Sequence, residues 1–540
     1  MKQQTIKLPF DVPLLEVKEL KAGSVACLYE HGNLRYLKVD REEVVRMVYS
    51  AVRDEHWATA PYRLESEKLI VQERSFNISY TALYELGDIK YKAFFEIEGR
   101  EDNTISFSMH GEALSSFKRN RIGLCVLHPI NECAGQPVVI GTPGGGEYQS
   151  HFPDAISPYQ PFKNIANMQY ETPGARVQIE FEGDIFETED QRNWTDASFK
   201  TYSTPLEIPI PVDVSEGEKL HQKLVISIHQ NEARNSGTNS PASIYDKRAF
   251  PKIGYEKFHE EPLSDTDIAA LSQLPFDHYR VEIHLDSNQW KDDFRTAVDE
   301  ARKLNTSLEL IIFLEGRNDA NANDWINLMQ QSQQCITRIL LVSNNGNAIP
   351  APFPKLYQAM REKLPHVKIG YGTDAFFADL NRNRPSSDME FDFLSTPLTP
   401  QVHAVDTRTI IENLEAERDL IKTLRSFAAD KEICISPVTF KMRTRDGSTS
   451  DEDPRMYSSF GAIWTLSTIK NLAGASSITF YQATGYRGLL NGYHAAPSPL
   501  FNALKQLKEF SPTWIIYDED IDSLCVENSS GEQMKFEFLK

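Results

Sequence analysis

The chain has 540 residues, which is too long for one ordinary domain and comfortable for two or three. Hydrophobic residues make up 40% and charged residues 25%, a mixture typical of a globular protein that folds in water. The formal net charge of -20 argues against nucleic acid and against an anionic membrane surface as partners, because both require a basic face. A small or neutral ligand fits this composition better.

The opening residues, Met1 to Val17, lack the continuous apolar core of a signal peptide. No stretch approaches the roughly 18 apolar residues that a membrane span requires. The 6 cysteines are scattered without a CxxC pair, so we expect reduced, mostly buried thiols and neither a disulfide framework nor a zinc site. These features predict a cytoplasmic protein.

The first part of the chain has the pattern of β-structure, because short runs rich in Val, Ile, Phe and Tyr alternate with turn residues. Runs such as Asn77–Glu85 and Ile89–Glu98, separated by a Gly-Asp turn, have the spacing of strands in a sandwich. The connection Arg41–Val52 is the exception and is predicted to be a helix. We therefore predict an N-terminal β-sandwich domain over residues 1–245.

A polar stretch between Glu187 and Pro205 mixes carboxylates, cations and amides around Trp194 and Phe199, with no helical or strand period. A solvated surface loop is one interpretation of this composition. The two aromatic side chains need burial, however, and burying them would draw neighbouring charges such as Lys200 into a low-dielectric environment that shifts pKa values. We interpret this stretch as the lip of an active site.

The pattern changes after Asn235–Ala242, a linker rich in Asn, Ser, Gly and Pro. Candidate strands and helices then alternate, and eight strand–helix units in about 250 residues are typical of a (β/α)8 TIM barrel. We predict this barrel over residues 246–512. Three short runs after it predict a small C-terminal β segment over residues 513–540. The predicted fold class is therefore multidomain β and α/β.

Active sites of such barrels lie at the C-terminal ends of the strands. The second strand is the most informative, because alternation places Glu282, His284 and Asp286 on the face opposite its apolar residues, pointing inward. Burying polar groups lowers stability unless they pair with one another or take part in catalysis. The alternative to a catalytic site is therefore a buried network in which these groups hydrogen-bond to each other. Polar residues at or beyond other predicted strand ends include Glu256, Glu315, Asp374 and Arg487.

Several catalytic motifs do not occur in the sequence. There is no GxSxG elbow, no HExxH, no aspartate-rich calcium loop and no strong zinc spacing. Retaining glycosidases on this barrel commonly carry one Glu after the fourth strand and another after the seventh. Here the fourth predicted strand ends in Ser343–Asn345 and the seventh in Pro437–Phe440, so that pair of carboxylates is missing.

Two runs, RNRIGLCVLHP (Arg119–Pro129) and EDQRNWTDASFKTYSTPL (Glu189–Leu206), resemble the D-apionate lactonase family. The segments PLTPQVHAVD (Pro397–Asp406) and TGYRGL (Thr484–Leu489) support this resemblance, which covers nearly the whole chain. It implies a β-rich N-terminal domain, a TIM barrel and a small C-terminal β domain. The implied activity is hydrolysis of D-apionolactone, the lactone of a branched sugar acid, to D-apionate in carbohydrate catabolism.

Lactone hydrolysis needs a base to activate water, a donor for the developing oxyanion and an acid for the leaving alkoxide. A carboxylate or His284 is the candidate base, while Lys200 or Arg192 is the candidate oxyanion donor. The proposed catalytic residues are Asp196, Lys200, His284 and Glu315. The proposed substrate-binding residues are Arg192, Asn193, Trp194, Glu256, Asp374, His403 and Arg487. No metal and no cofactor is expected.

Two other classes of function stay open at this point. A glycoside hydrolase would need two carboxylates about 5 to 9.5 Å apart, for which Glu256, Glu315 and Asp374 remain eligible. A non-catalytic carbohydrate-binding protein would line the barrel mouth with aromatic side chains without a base nearby. All three functions imply a small-molecule partner, and for the lactonase this partner is a sugar-acid lactone. A homo-oligomer is possible.

Overall fold

The structure is a computed structural model, and it describes residues 3–231, 246–258, 261–314, 322–443, 452–491, 497–518 and 522–539. The chain forms two compact units. The N-terminal unit comprises Leu14–Arg192 and Ala197–Asn239, and the barrel unit comprises Met1–Pro13, Asn193–Asp196 and Ser240–Lys540. Within the described ranges, no helix combines the length and the hydropathy needed to cross a membrane.

The described residues up to 231 are built almost entirely of strands, with one short α-helix, α1 (Ile130–Cys133), and a 3-10 turn at Gln191–Trp194. The strands are β1 (Gln3–Pro9), β2 (Lys18–Ala22), β3 (Val25–Glu30), β4 (Asn33–Val39), β5 (Glu42–Asp54), β6 (Tyr62–Val71), β7 (Phe76–Leu86), β8 (Ile89–Gly99), β9 (Thr104–Ala113), β10 (Phe117–Pro129), β11 (Pro137–Gly141), β12 (Glu147–His151), β13 (Phe162–Ile165), β14 (Asn167–Glu171), β15 (Ala175–Glu182), β16 (Phe186–Asp190), β17 (Ser198–Ser203), β18 (Val212–Val214) and β19 (Lys219–Gln230).

Strands β2 to β19 form two antiparallel sheets in the N-terminal unit. One has the order β13-β16-β17-β10-β5-β4-β3-β2, with β18 beside β10, and the other has the order β12-β11-β14-β15-β19-β9-β8-β7-β6. Side chains join the sheets: the Tyr170 hydroxyl donates to the Val44 carbonyl over 2.8 Å, and Gln222 Oε1 accepts from the Leu124 amide over 2.8 Å. The alternating burial along β8 shows one apolar face turned to this core. The predicted sandwich is confirmed.

The predicted helix over Arg41–Val52 is wrong, because this segment is strand β5. It lies inside its sheet between β4 and β10, with Val48 opposite Leu34 on one side and Val126 on the other. The buried residues of β5 do not alternate strictly, since both of its faces are partly covered. A strand buried on both faces has no period of two, so its apolar residues fit helical spacing equally well.

The barrel unit contains the remaining strands and helices. The strands are β20 (Asp246–Ala249), β21 (Lys252–Glu256), β22 (His278–His284), β23 (Ser307–Leu314), β24 (Ile336–Ser343), β25 (Lys368–Gly372), β26 (Phe393–Leu398), β27 (Glu432–Val438), β28 (Ser477–Thr484), β29 (Gly488–Leu490), β30 (Pro512–Tyr517), β31 (Ser523–Asn528) and β32 (Gln533–Leu539). The helices are α2 (Asp265–Leu271), α3 (Trp290–Leu304), α4 (Ala322–Gln330), α5 (Phe353–Lys363), α6 (Phe377–Arg382), α7 (Thr407–Glu412), α8 (Ala416–Ala428), α9 (Ser459–Asn471) and α10 (Pro499–Phe510).

Strands β21 to β28 pair in parallel in chain order, and β28 returns to β21 so that the sheet closes into a barrel. The predicted TIM barrel is therefore confirmed. Its interior is apolar in one layer, where Ile311, Phe313, Leu340, Val342 and Phe393 pack together. The C-terminal ends of these parallel strands meet at one rim, where side chains from separate strands converge.

The predicted C-terminal strands belong to a sheet with the order β1-β32-β31-β30-β20. Strand β1, from the start of the chain, runs parallel to β32, with Gln3 opposite Gln533. The segment after β1 caps a barrel helix, because the Asp11 carboxylate accepts from the backbone amides of Ser459 and Phe460 at the start of α9. The C-terminal strands β30 to β32 therefore pair with β1 and β20, which come from two distant parts of the chain.

Candidate active site

A cavity of ≈ 290 Å³ lies at the C-terminal ends of barrel strands β24 to β27. Asp374 follows β25, Thr399 follows β26, and Arg443 comes from the segment after β27. Asn193 and Trp194 line it as well, and both belong to the barrel unit. The cavity therefore combines one carboxylate, one guanidinium and an indole with neutral hydrogen-bonding groups.

Residues Asn193–Asp196 are held against the barrel by specific contacts. The Trp194 ring meets the Phe376 ring edge-on at 5.2 Å between centroids, and Asn381 Nδ2 donates to Asn193 Oδ1 over 2.9 Å. Thr195 has φ 64, in the left-handed region that a β-branched residue rarely adopts, and its hydroxyl donates to the Thr399 carbonyl. This strained turn directs Trp194 and Asp196 to their separate partners.

Asp196 and His403 form a hydrogen-bonded pair next to the cavity. Nδ1 of the imidazole shares a hydrogen bond with one carboxylate oxygen, while the other oxygen accepts from Asn413 Nδ2 over 3.1 Å. The Trp194 ring lies edge-on to the imidazole, 6.1 Å between centroids. Because an ionised carboxylate can only accept, Nδ1 carries the hydrogen of this bond.

A layer of ion pairs lies beneath the cavity. The fully buried Arg280 guanidinium contacts Glu256 at 3.1 Å and Glu282 at 2.9 Å, and it also donates to Asp374. The Arg443 guanidinium contacts Glu282 at 3.0 Å and Asp374 Oδ1 at 3.1 Å. Three carboxylates therefore share two guanidinium cations in a region with little access to solvent.

Burial and charge act in opposite directions on these groups. Burial disfavours the Arg280 cation, but the neighbouring Asp374, Glu256 and Glu282 outweigh it and raise its pKa. Burial likewise raises the pKa of Glu256, with Arg280 opposing this rise and Glu282 adding to it. With all five groups ionised the layer carries one excess negative charge, which a proton on Glu256 would neutralise.

The sequence-derived site residues of the barrel unit fall into three places. Asn193, Trp194 and Asp374 line the cavity, and Glu256 belongs to the ion-pair layer. His403 contacts Asp196 beside the cavity.

Two other candidates of the barrel unit, His284 and Arg487, are not among the described residues that line this cavity. His284 stacks on Phe313 at 4.1 Å between ring centroids, and its Nε2 lies 3.4 Å from a Glu282 carboxylate oxygen. The Arg487 guanidinium lies over the Tyr486 ring, 5.4 Å from its centroid. Glu315 lies outside the described residues.

Two further candidates belong to the N-terminal unit and are bound to carboxylates there. Lys200, on β17, forms an ion pair with Glu189 on β16. The Arg192 guanidinium is fully buried, contacts Asp190 at 2.7 Å and donates to the Pro153 carbonyl over 2.8 Å. Burial raises the pKa of Asp190, and Arg192 opposes that rise. Each of these cations therefore pairs with a carboxylate of strand β16.

Sequence reasoning missed two cations of the site. Arg280 lies two residues before Glu282 on β22, so extending the same alternation backwards would have found it. Arg443 follows β27 in an irregular segment, where no periodic pattern in the sequence indicates which way its side chain points. Among the residues that the structure describes, no group of three or more His, Cys, Asp and Glu side chains is placed to hold a metal ion.

Two neutral residues line the cavity after the fourth and seventh barrel strands. Asn345 follows β24, and Thr439 follows β27. A retaining glycosidase with the common arrangement would have a carboxylate after each of these strands. The pair of carboxylates missing from the sequence is therefore also missing from the described lining of the cavity.

Comparison with known proteins gives matches along most of the chain. Residues 8–231 match the family model "D-apionate lactonase, N-terminal domain", and residues 256–512 match "D-apionate lactonase, TIM barrel domain". A D-apionate lactonase from Brucella anthropi is 28% identical, over 90% of this chain and 86% of that protein.

Two solved structures have partial likeness. The α-L-arabinofuranosidase of Thermotoga maritima is 12% identical with a TM-score of 0.38, over 54% of this chain and 82% of that one. The galactose 1-epimerase of Lactobacillus acidophilus is 9% identical with a TM-score of 0.29, over 40% and 95% respectively. The two family models together cover most of the sequence and both main parts of the fold, so the chain belongs to the D-apionate lactonase family.

Proposed function

We propose that this protein hydrolyses a sugar-acid lactone, D-apionolactone, to the open-chain acid D-apionate. The observation that carries the proposal is the placement of Arg443 and Asp374 in one small cavity beside Trp194. Its volume of ≈ 290 Å³ is at the lower end of the range for ligand pockets, about 300–1,000 Å³, which suits a ligand of monosaccharide size. The family match and the relative from Brucella anthropi support the same substrate.

Arg443 is the proposed electrophilic group. Its side chain is only 15% exposed, so a hydrogen bond from its guanidinium to the lactone carbonyl would act in a region of low dielectric. Water attack turns that carbonyl oxygen into an oxyanion, and a fixed cation stabilises the oxyanion more than the neutral ester. Glu282 and Asp374 hold the guanidinium in position before the substrate arrives.

The hydroxyl groups of the substrate face a set of short polar side chains. Asp374, Asn193 and Asn345 line the cavity with acceptors and amide groups. The Thr399 hydroxyl is buried and has no hydrogen-bond partner among the described residues, so a ligand hydroxyl would satisfy it. Trp194 provides an apolar face for the ring of the lactone.

The other sequence-derived candidates receive supporting roles in this proposal. Asp196 and His403 hold the turn that carries Trp194, and His284 lies beside Glu282 at the edge of the ion-pair layer. Lys200 and Arg192 stabilise the N-terminal sheet, because each is paired with a carboxylate there. Described cysteines are all free thiols, which supports the proposal that the enzyme acts in cytoplasmic carbohydrate catabolism.

The test is a substrate panel with the purified protein. D-apionolactone, other sugar-acid lactones and aryl glycosides are compared by kcat/KM, and lactone opening is followed by the proton that it releases. We expect hydrolysis of D-apionolactone and no release of the aryl group. Cleavage of a glycoside without lactone opening would contradict the proposal. Dialysis against a chelator tests the expectation that the reaction needs no metal, and we expect an unchanged rate.

A further inference from the structure

A second chamber lies beside the main cavity and contains part of the same ion-pair layer. Glu256, Gln482 and Arg487 line it, and Thr439 lines both this chamber and the main cavity. Its volume is ≈ 10 Å³, which is about the space of one water molecule. A lactone is too large for this chamber, so its ligand must be very small.

Gln482 brings an unsatisfied acceptor to the chamber. Its side chain is 5% exposed, and Oε1 has no hydrogen-bond partner among the described residues. A buried amide oxygen without a hydrogen-bond partner lowers the stability of the fold, so the presence of such an oxygen here requires an explanation. A bound molecule that donates a hydrogen bond would remove this penalty.

A local irregularity of β28 places Gln482 next to Glu256. Tyr255 on β21 pairs with Phe480, but the next residue, Glu256, pairs with Gln482, so Tyr481 is an extra residue in the strand. Tyr481 has φ 46, it also lines the chamber, and its hydroxyl bonds with Thr465 on α9. Bulges of this kind redirect side chains and often lie near active sites.

We propose, on the basis of the lactonase function, that this chamber holds the hydrolytic water, with Gln482 Oε1 accepting one of its hydrogens and the Glu256 carboxylate accepting the other. As the water oxygen bonds to the lactone carbonyl carbon in the adjoining cavity, its O–H bond breaks and the proton passes to Glu256. The tetrahedral intermediate then expels the ring oxygen, which takes the proton back from Glu256. One water is consumed and one hydroxy acid is formed.

The charge of the surrounding layer suits this proton transfer. Glu256 contacts Arg280 at 3.1 Å, and Arg280 also keeps its contacts to Glu282 and Asp374. The five ion-paired groups have one excess negative charge before the proton arrives and none after, so their neutralisation favours the transfer, while the nearby Arg487 opposes it. Asp374 and Glu282 each contact both Arg280 and Arg443, so two cations lie against each of these carboxylates. Glu256, which lines the chamber, is therefore the member best placed to exchange a proton.

The test compares Glu256→Gln and Gln482→Leu with the wild type on D-apionolactone. General-base catalysis typically contributes about 10²–10⁴-fold, so Glu256→Gln should lower kcat at least about 100-fold with KM nearly unchanged. Gln482→Leu should lower kcat about tenfold, the size of effect expected for one lost hydrogen bond to the water, again without a matching change in KM. Gln506→Leu is the matched control, because Gln506 on α10 also has an Oε1 without a partner among the described residues. The control should keep the wild-type kcat.

The outcomes separate this inference from the function on which it rests. A wild-type protein that opens none of the lactones overturns the proposed function and the water site together. An active wild type whose Glu256→Gln and Gln482→Leu variants keep kcat overturns the water site alone. If Glu256→Gln does not fold, judged by its thermal midpoint, Gln482→Leu decides, and an unchanged kcat in that variant overturns the inference.

Discussion

Nδ1 of His403 and the carboxylate of Asp196 share a hydrogen bond although the two residues are 207 positions apart in the sequence. Asn413 supplies a second donor to the same carboxylate over 3.1 Å. This pair holds one end of the turn that carries Trp194, and the contact between Trp194 and Phe376 holds the ring itself. The position of the aromatic wall of the cavity therefore depends on a contact outside the cavity.

Replacing Asp196 by Asn should weaken substrate binding more than turnover. Hydrogen bonds to charged groups contribute about 1.5–3 kcal/mol, so loss of the charged partner of His403 should raise KM by about one to two orders of magnitude. Steady-state kinetics on D-apionolactone measures both parameters. If kcat fell strongly while KM stayed constant, His403 would be the base instead of Glu256.

Replacing Arg443 by Gln should remove most of the transition-state stabilisation. Loss of one oxyanion donor typically lowers kcat by about 10²–10³, because the interaction is strongest after the carbonyl has gained charge. Arg295→Gln is the control, since Arg295 is an exposed residue of α3 that pairs with Asp292. Both variants should be compared by kcat and thermal midpoint. A near wild-type kcat in Arg443→Gln would exclude this residue as the oxyanion donor.

The pH profile of kcat/KM should show an acidic limb due to Glu256. A base must be deprotonated to act, so activity falls as pH drops through its pKa, and burial raises the pKa of Glu256 above its usual value of 4.5. Arg280, Arg443 and Arg487 lower this pKa, and Glu282 raises it. Asp453 and Lys441 also line the chamber.

The limb should therefore lie above pH 4.5 in the wild type and disappear from the residual activity of Glu256→Gln. The measurement is a series of kinetic assays from about pH 4 to about pH 9 at constant ionic strength, because carboxylates and histidines in proteins titrate within this range. An identical limb in the variant would assign the titration to another group.

Glu417 should make the protein less stable as pH rises. This carboxyl lies between α8 and α9, where it accepts from Thr468 at 2.9 Å and Asn471 at 3.2 Å, and burial raises its pKa from 4.5 to about 8. Between these values the folded protein keeps a proton that the unfolded chain releases, so stability falls with rising pH. The effect is on the order of a few kcal/mol, since a tenfold change in a proton-binding constant corresponds to about 1.4 kcal/mol.

Glu417→Gln removes this titration and keeps the shape, because the Thr468 hydroxyl can accept from the new amide. The variant should have a higher thermal midpoint than the wild type at about pH 8 and a similar one at about pH 5, which a pair of melting curves at each pH would measure. Equal differences at both pH values would show that the side chain does not titrate in this range.

Lys200→Met should lower stability and leave turnover unchanged. Glu189, which is largely buried, would lose its contact with the Lys200 ammonium, and breaking a buried pair in this way costs about 3–5 kcal/mol. The thermal midpoint should fall, while kcat per folded molecule should stay the same. A large loss of kcat with an unchanged midpoint would instead support the catalytic role inferred from the sequence.

The barrel was predictable because its strands are short, have at least one apolar face and alternate with helical patterns. Strand β5 was not, because burial on both faces removes the alternation that identifies a strand. In the candidate site, the expected burial of the two aromatic side chains holds for Phe199, whereas Trp194 is only half-buried and lines the cavity. Asp374 could be anticipated from its place after β25. The pairing of Asp196 with His403 had no local signal, since it depends on the three-dimensional fold alone.

The pairing of β1 with β32 also affects how the protein is made. Ribosomes add about 5–20 residues per second, so β1 leaves the ribosome roughly half a minute to two minutes before its neighbour exists. During that interval the strand has an open edge, and its polar residues Gln3, Gln4 and Lys7 reduce the tendency of such an edge to join other chains. The sheet around β32 is therefore the part of the barrel unit that nascent chains complete last.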